Sequence, residues 1–462
     1  MTDLTVDSTA REMVAAVADR GISARELMDL HLARIAERNP GLNAIVSLDE
    51  ERARTGATEA DEALTSGDEV GPLHGLPFAF KDTHAVGGWR TTYGSPLFAD
   101  HVPENDELVV ERVRRAGAVT IGKTNVPEFA AGSHTFNTIF GTTLNPVDPR
   151  FSAGGSSGGA ACALASGMVP LAEGSDMGGS LRNPASFCGV VGMRPSLGRV
   201  PEWPQRNHWE TTSVAGPMAR NVGDLALLLS VLAGPDPRAP MALGDPGSVF
   251  ASPVAGSLSG LRVALSIDLG GAFEVDDRVA AVVEEGGRTF TANGSHVTGA
   301  HPDLSLADDT FRTLRAWHFQ AKFGKLLADN PHSFKQSLAD NIRLGQGLTG
   351  ADIARAYAQR TSLAEAMRLF FEQYDVLVLP VSQVPPFPAD QEFPSDINGK
   401  PMETYLDWMK SAYFITVTGC PAISLPTGDT VDGLPVGIQI VAPHGADRRL
   451  LEIAAAVEGA DR

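Results

Sequence analysis

GSDMGGSLRNPASFCG, residues 174–189, is the least ordinary stretch of the chain. Together with FSAGGSSGGA at 151–160 it concentrates glycine and serine in a way that usually marks a flexible linker. The linker reading fails because apolar runs at 161–165, 168–171 and 189–193 are interleaved with these loops. Loops that alternate with buried runs lie against a core, and their glycines bring backbone close to something else. Working outward, short apolar strands at 76–80 and 118–121 flank a helix at 107–115. A helix at 221–232, a Pro/Gly/Ser-rich connector at 234–260 and a strand at 261–266 follow. The stretch 275–375 reads as mainly helical, and the tail holds strands at 375–380, 422–425 and 436–442 before a helix at 447–458. At the other end, Thr9-x-x-Glu12 and Ser23-x-x-Glu26 are capping-box patterns, and Met28, Leu32 and Ile35 repeat on one helix face. Strands mixed with helices throughout indicate an α/β fold.

The 462 residues are 43% hydrophobic and 20% charged, an ordinary globular composition with room for a large core. The formal charge of −19 would repel a phosphate backbone, so nucleic-acid binding is not expected. Cys162, Cys188 and Cys420 have neither disulfide-framework nor zinc-site spacing. No run approaches the roughly 20 apolar residues of a membrane span, and the opening residues lack a secretory apolar core. The expectation is a cytoplasmic protein with no metal, no cofactor and no membrane contact.

Two motifs are decoys. GAVTIGKT at 117–124 matches the phosphate-loop pattern, but a helix precedes it and the apolar strand lies inside it, the reverse of what phosphate binding needs. GGSSG at 154–158 matches the nucleophile elbow of α/β-hydrolases, but the turn-rich NPVDPR (145–150) precedes it where a strand is required. His208, His296, His301, His318, His332 and His444 stand in no diagnostic context for a triad.

The combination of GLPFAFKD (75–82), GGSSGG (154–159) and GSDMGGSLRNPASFCG (174–189), in that order, resembles the amidase signature family. The resemblance extends to PEFA (127–130), FGTTLNPVDP (140–149), GRVP (198–201), AGPMAR (215–220), YDVLVLP (374–380) and GLPVGIQIVAP (433–443). It covers most of 70–232 and 370–460 and leaves 233–370 weakly marked. It implies the amidase-signature fold, a central mixed β-sheet covered by helices on both faces. The expected organisation is one amidase domain over 1–462. Its parts are N-terminal helices at 1–70, a catalytic signature core at 71–232, a variable helical region at 233–370 and the rest of the core at 371–462.

By the same resemblance, Ser180 is the nucleophile, Ser156 the bridging serine that follows a cis peptide, and Lys81 the general base. The oxyanion hole would be the N–H groups of Met177, Gly178 and Gly179. Asp176 and Arg182 would pair to hold the loop, and Ser157 would bond Lys81 or the loop. The chain departs from the family in having Met177 where Thr is frequent and Met193-Arg194-Pro195 where Lys-Pro is frequent.

These residue types suit the chemistry. A serine hydroxyl needs a base to become a nucleophile, and a lysine can be that base only when neutral. Burial at the end of an apolar strand favours the neutral amine. A second serine between them makes a relay that, run in reverse, protonates the leaving amine. Each oxyanion donor is worth about 3–4 kcal/mol. The expected substrates are small or synthetic amides, aryl amides or carbamates, turned over by a monomer or homodimer. An esterase and an A-type amidotransferase component that needs a partner are the alternatives. Gly132, Ser133, Phe136, Ile139, Phe140 and Trp209 are the expected pocket residues, with Trp203 and His208 beside the last. The proline-rich loop 382–400 is placed to close over the site, with Tyr405 and Trp408 following it.

Overall fold

The central strands of the sheet show no alternation of buried and exposed positions, the pattern of strands covered on both sides. In the computed structural model, which describes residues 4–252 and 254–460, eleven strands form one sheet. Residues 1–3 of the N-terminal stretch, 253 of the 234–260 connector and 461–462 of the tail lie outside the described residues. The first strands are β1 (Ile45–Val46), β2 (Pro77–Lys81) and β3 (Val119–Thr124), followed by a small hairpin, β4 (Phe136–Asn137) and β5 (Gly141–Thr142). Then come β6 (Leu171–Asp176), β7 (Val191–Arg194), β8 (Val214–Ala219), β9 (Arg262–Leu265), β10 (His296–Gly299) and β11 (Val376–Pro380). A second hairpin, β12 (Asp396–Ile397) and β13 (Lys400–Pro401), precedes β14 (Ala422–Asp429) and β15 (Pro435–Val441). The sheet order is β1-β3-β2-β6-β8-β7-β14-β15-β11-β9-β10. It is mixed: β2 runs parallel to β3 and β6, and β9 to β10 and β11, while the remaining neighbours are antiparallel. Helices flank it, and one apolar cluster runs from Ala10 through Phe78, Leu171 and Ile438 to Val457.

Both capping boxes form, on helices Ala10–Ala18 and Ala24–Leu42, and Met28, Leu32 and Ile35 are buried. The strand expected at 118–121 continues through Lys123 to Thr124, paired with β2, so the phosphate-loop look-alike is mostly a buried strand. β6, β7 and β8 replace what reads as loop and apolar scraps, and β10 interrupts the helical region. The burial of both faces explains the missing alternation. Every position of β7 and β8 is buried, as are five of the six in β6.

Two packing arrangements position the site. Helix Gly158–Ala165 (GGAACALA) packs on β2, β3 and β6 through small side chains. A Cβ on Gly159 would sit 2.3 Å from the Asn125 backbone nitrogen, so only glycine permits this approach. Helices Ala307–Asp329 and Gln336–Gln346 pack together around Phe319, Phe323, Leu327, Leu338 and Ile342, with Phe129 and Met177 against that cluster.

Candidate active site

β2 delivers Lys81 at its buried C-terminal end, and the side chain has no solvent exposure. Its Nζ lies 2.8 Å from Ser156 Oγ, 2.8 Å from Ser157 Oγ and 3.1 Å from Ser175 Oγ. Among the described residues no carboxylate forms an ion pair with this nitrogen, which is surrounded by neutral hydroxyls. Burial pushes Lys81 down to about 7, against the opposing pull of Glu173 and Asp176. A lysine in this setting exchanges a proton near neutral pH, and Ser156 and Ser175 are the hydroxyls through which it meets the cavity.

Ser156 sits in the loop that opens helix Gly158–Ala165, and the Gly155–Ser156 peptide is cis. Gly154 has φ +73°, and a Cβ there would fall 2.6 Å from Asn183 Oδ1, so this turn both requires the left-handed region and excludes a side chain. Asn183 Oδ1 in turn accepts the Gly155 N–H at 3.1 Å, which ties the Ser156 loop to the helix beyond Ser180.

Ser180 lies where β6 turns into helix Arg182–Cys188, a strand–turn–helix passage. Asp176, the last residue of β6, anchors the turn. It accepts from Gly179 N (3.0 Å), Leu181 N (3.2 Å), Arg182 Nε (3.0 Å) and Arg182 Nη2 (2.8 Å). Arg194 adds Nη1 contacts to the Asp176 backbone and side-chain oxygens. Burial pushes the Asp176 carboxyl up, but the two guanidiniums and the Leu181 amide outweigh it and hold the group well below the usual carboxylate range. Arg182 also donates to Ala412 O, Gln439 Oε1 and Thr416 Oγ1. The Gly179 N–H is thus a correction to the expected oxyanion set: φ of +105° turns it back onto Asp176 Oδ1. Among the described residues, the amides of Met177, Gly178 and Ser180 have no such acceptor. No hydrogen bond joins the Ser180 hydroxyl to Ser156 among the described residues, and Ser180 retains 7% exposure toward the cavity.

That cavity measures about 890 Å³ and is walled on one part by Ser156, Ser175, Met177, Gly178 and Ser180. Much of the rest is aromatic: Tyr93, Phe98, Phe129, Phe319 and Phe323, with Trp203 and Trp317. The rings contact in series, Tyr93–Phe98 at 5.3 Å, Phe98–Phe129 at 5.9 Å and Phe129–Phe323 at 4.7 Å between centroids. Of the expected pocket residues, Gly132 lines this cavity, and so do Trp203 and His208. Ser133 instead turns its hydroxyl to Met409 Sδ at 3.3 Å, and Phe136 packs on His134. Phe140 lies under Arg90, Ile139 stays half-buried away from the cavity, and Trp209 is 65% exposed. The 382–400 loop lends no wall residue: its Phe387 packs on Phe187 and Trp408, and Tyr405 packs beside Arg315. These rings fill the core beneath loops. The aromatic residues of helix Ala307–Asp329 carry no motif, and the spacing of Phe319, Phe323 and Leu326 at i, i+4, i+7 is the one signal the sequence offers for them. Ser175, Glu173 and His84 also belong to the site, and nothing in their local sequence sets them apart.

The model of the amidase family matches residues 26–451, nearly the whole chain. The chain belongs to the amidase family. It is 37% identical over 453 residues to an acylamidase of Rhodococcus erythropolis, covering 97% of this chain and 94% of that one. The A component of the glutamyl-tRNA(Gln) amidotransferase of Synechococcus sp. (strain CC9605) is 34% identical, over 94% of this chain and 92% of its own. The crystal structure of a bacterial aryl acylamidase, an amidase signature enzyme, superposes with a TM-score of 0.91 at 30% identity, covering 98% of this chain and 96% of that one. This amidase is therefore a hydrolase of the amidase-signature type. Among its described residues no group of three His, Cys, Asp or Glu side chains is placed to hold a metal, and no helix is long and apolar enough to cross a membrane.

Proposed function

We propose that this amidase cleaves the C–N bond of small amides bearing a bulky apolar or aromatic group, anilides first and aryl carbamates second, with Ser180 as nucleophile, Ser156 as bridge and Lys81 as base. The contact that carries the reading is Lys81 Nζ at 2.8 Å from Ser156 Oγ, on a lysine that burial brings to about 7. Ser180 attacks the carbonyl as its proton passes through Ser156 to Lys81. The step needs the Ser180 hydroxyl to rotate onto Ser156, a closure that often completes only with substrate in place. The amides of Met177, Gly178 and Ser180 are the donors for the oxyanion, and the proton returns along the same path to the leaving amine. The contiguous rings beside the serines favour a planar or bulky substituent, in line with the acylamidase and aryl acylamidase relatives.

The test is turnover by the purified protein, alone, of an anilide, an aryl carbamate, an aliphatic amide, a nitrophenyl ester and glutamine. Anilide or carbamate hydrolysis should fall by about 10⁴-fold or more in Ser180→Ala. Turnover of the ester alone would replace this reading with an esterase. The similarity to amidotransferase components supports a second reading, which predicts glutamine turnover that appears only with a partner protein.

A further inference from the structure

Beneath the Lys81 hydroxyl cluster lies a row of charges that the proposed reaction does not use. Glu173, on β6 and without solvent exposure, accepts the Lys81 backbone N–H through Oε1 at 2.7 Å. Its other oxygen, Oε2, lies 3.3 Å from His84 Nε2. The opposite ring nitrogen, Nδ1, lies 3.1 Å from Oε2 of Glu107, the residue that opens helix Leu108–Arg115. His84 is held at the base of β2, where its N–H bonds Lys81 O at 3.0 Å, and it lines the same cavity as Ser156 and Ser180.

The ring thus lies between two carboxylates, within ion-pair distance of both. Neither contact has the direction of a hydrogen bond, since His84 Nδ1 and Glu173 Oε2 are buried without a hydrogen-bond partner, so at these distances the coupling is one of charge, and a neutral ring would offset neither carboxylate. Only the imidazolium suits both neighbours. Glu173, a buried anion, is expensive without a countercharge, and its field favours the charged form of Lys81.

We propose that His84 is a positioning residue for Lys81: as an imidazolium between Glu173 and Glu107 it cancels the field of the buried Glu173 carboxylate and so leaves the lysine free to be neutral at neutral pH. This rests on the reading of Lys81 as the base. The remaining charges around the ring fit. Lys123, on β3, donates its ammonium to the His84 carbonyl oxygen, and Asp82 and Glu202 act on this cluster from the neighbouring turn and from the cavity wall. Burial disfavours the charged ring, but Glu173 and then Glu107 outweigh burial and Lys81, holding His84 above its ordinary range.

The experiment is the pH profile of kcat/KM for an aryl amide, from acid to alkaline pH, on the full-length protein and its variants. His84→Gln exposes Lys81 to Glu173, so the limb on which activity rises should move up by about one pH unit, with recovery at alkaline pH. Glu173→Gln should move it down, and the double variant should return it toward the parent. A limb that stays in place in His84→Gln, with activity lowered equally at every pH, overturns the proposal. If circular dichroism shows that His84→Gln does not fold, Glu173→Gln decides, and a limb that is unmoved or raised overturns the proposal. Nitrogen NMR of histidine-labelled protein gives a readout without substrate. A doubly protonated His84 ring at neutral pH supports the proposal, and a neutral ring overturns it. Failure of the base reading looks different: the parent would show no limb near neutral pH, or Lys81→Met would keep its activity.

Discussion

The cavity has two kinds of wall, built by opposite means. The wall around Lys81, Ser156 and Ser180 is polar and buried, with Asp176 and Arg182 without solvent exposure and every strong donor of Arg182 engaged. The aromatic wall, from Tyr93 and Phe98 to Phe129 and Phe323, is held mainly by ring packing. A satisfied polar network fixes one geometry and loses much when any member is removed. Apolar packing tolerates exchange among side chains of similar volume. The contrast suits the two tasks, because bond-making atoms need fixed positions while recognition of an acyl or amine group needs a surface that can vary.

Removing a member of the polar wall should be the most damaging change to the fold. Arg182→Met leaves Asp176 buried with less countercharge, and the unfolding free energy should fall by about 3–5 kcal/mol in urea denaturation. A loss below about 1 kcal/mol, the range of an exposed ion pair, would erase the distinction between the walls. On the aromatic side, Phe323→Leu keeps an apolar side chain but removes a ring. The kcat/KM for a bulky anilide should drop about 10-fold while that for a simple aliphatic amide changes little, as steady-state kinetics on both will show. Equal losses on the two substrates would mean that Phe323 acts through the fold. Trp209 sharpens the boundary from outside, because it is exposed and lines no part of the cavity. Trp209→Ala should leave thermal stability within about 0.5 kcal/mol and anilide turnover nearly unchanged, and a marked fall would place it at the mouth of the site.

The same contrast governs what is legible in the sequence. Ser156 and Ser180 stand out because glycine and serine cluster where backbone must pass close to backbone, as at Gly154 and Gly159, and Lys81 because it ends an apolar strand. The strand that leads to Ser180 is harder to see than the one that ends in Lys81. LAEGSD in β6 has no period of two, since Glu173 and Asp176 are both buried, the first answered by the distant Lys81 N–H and the second by Arg182 and Arg194 just downstream. The Gly179 amide cannot be assigned without the φ that turns it onto Asp176. The aromatic wall draws on helix Ala307–Asp329, where Phe319 and Phe323 read as ordinary core residues until tertiary packing brings them to Phe129. Ser133, Phe136, Ile139 and Phe140 are near the serine loop in sequence, which is why they are expected in the pocket, yet the chain turns them to other partners.

The ties of Arg182 also set an order of assembly. Lys81, Ser156 and Ser180 all lie in the first half of the chain, yet this arginine donates to Ala412, Thr416 and Gln439. During synthesis on the ribosome, where the chain emerges N-terminus first, the segment with every reacting side chain is exposed long before the acceptors that hold its turn. The turn at Ser180 can close on Asp176 early, but its full set of ties is complete only when Gln439 of β15 joins the sheet, and a nascent chain halted before that strand would carry the reacting groups in a frame with one tie missing.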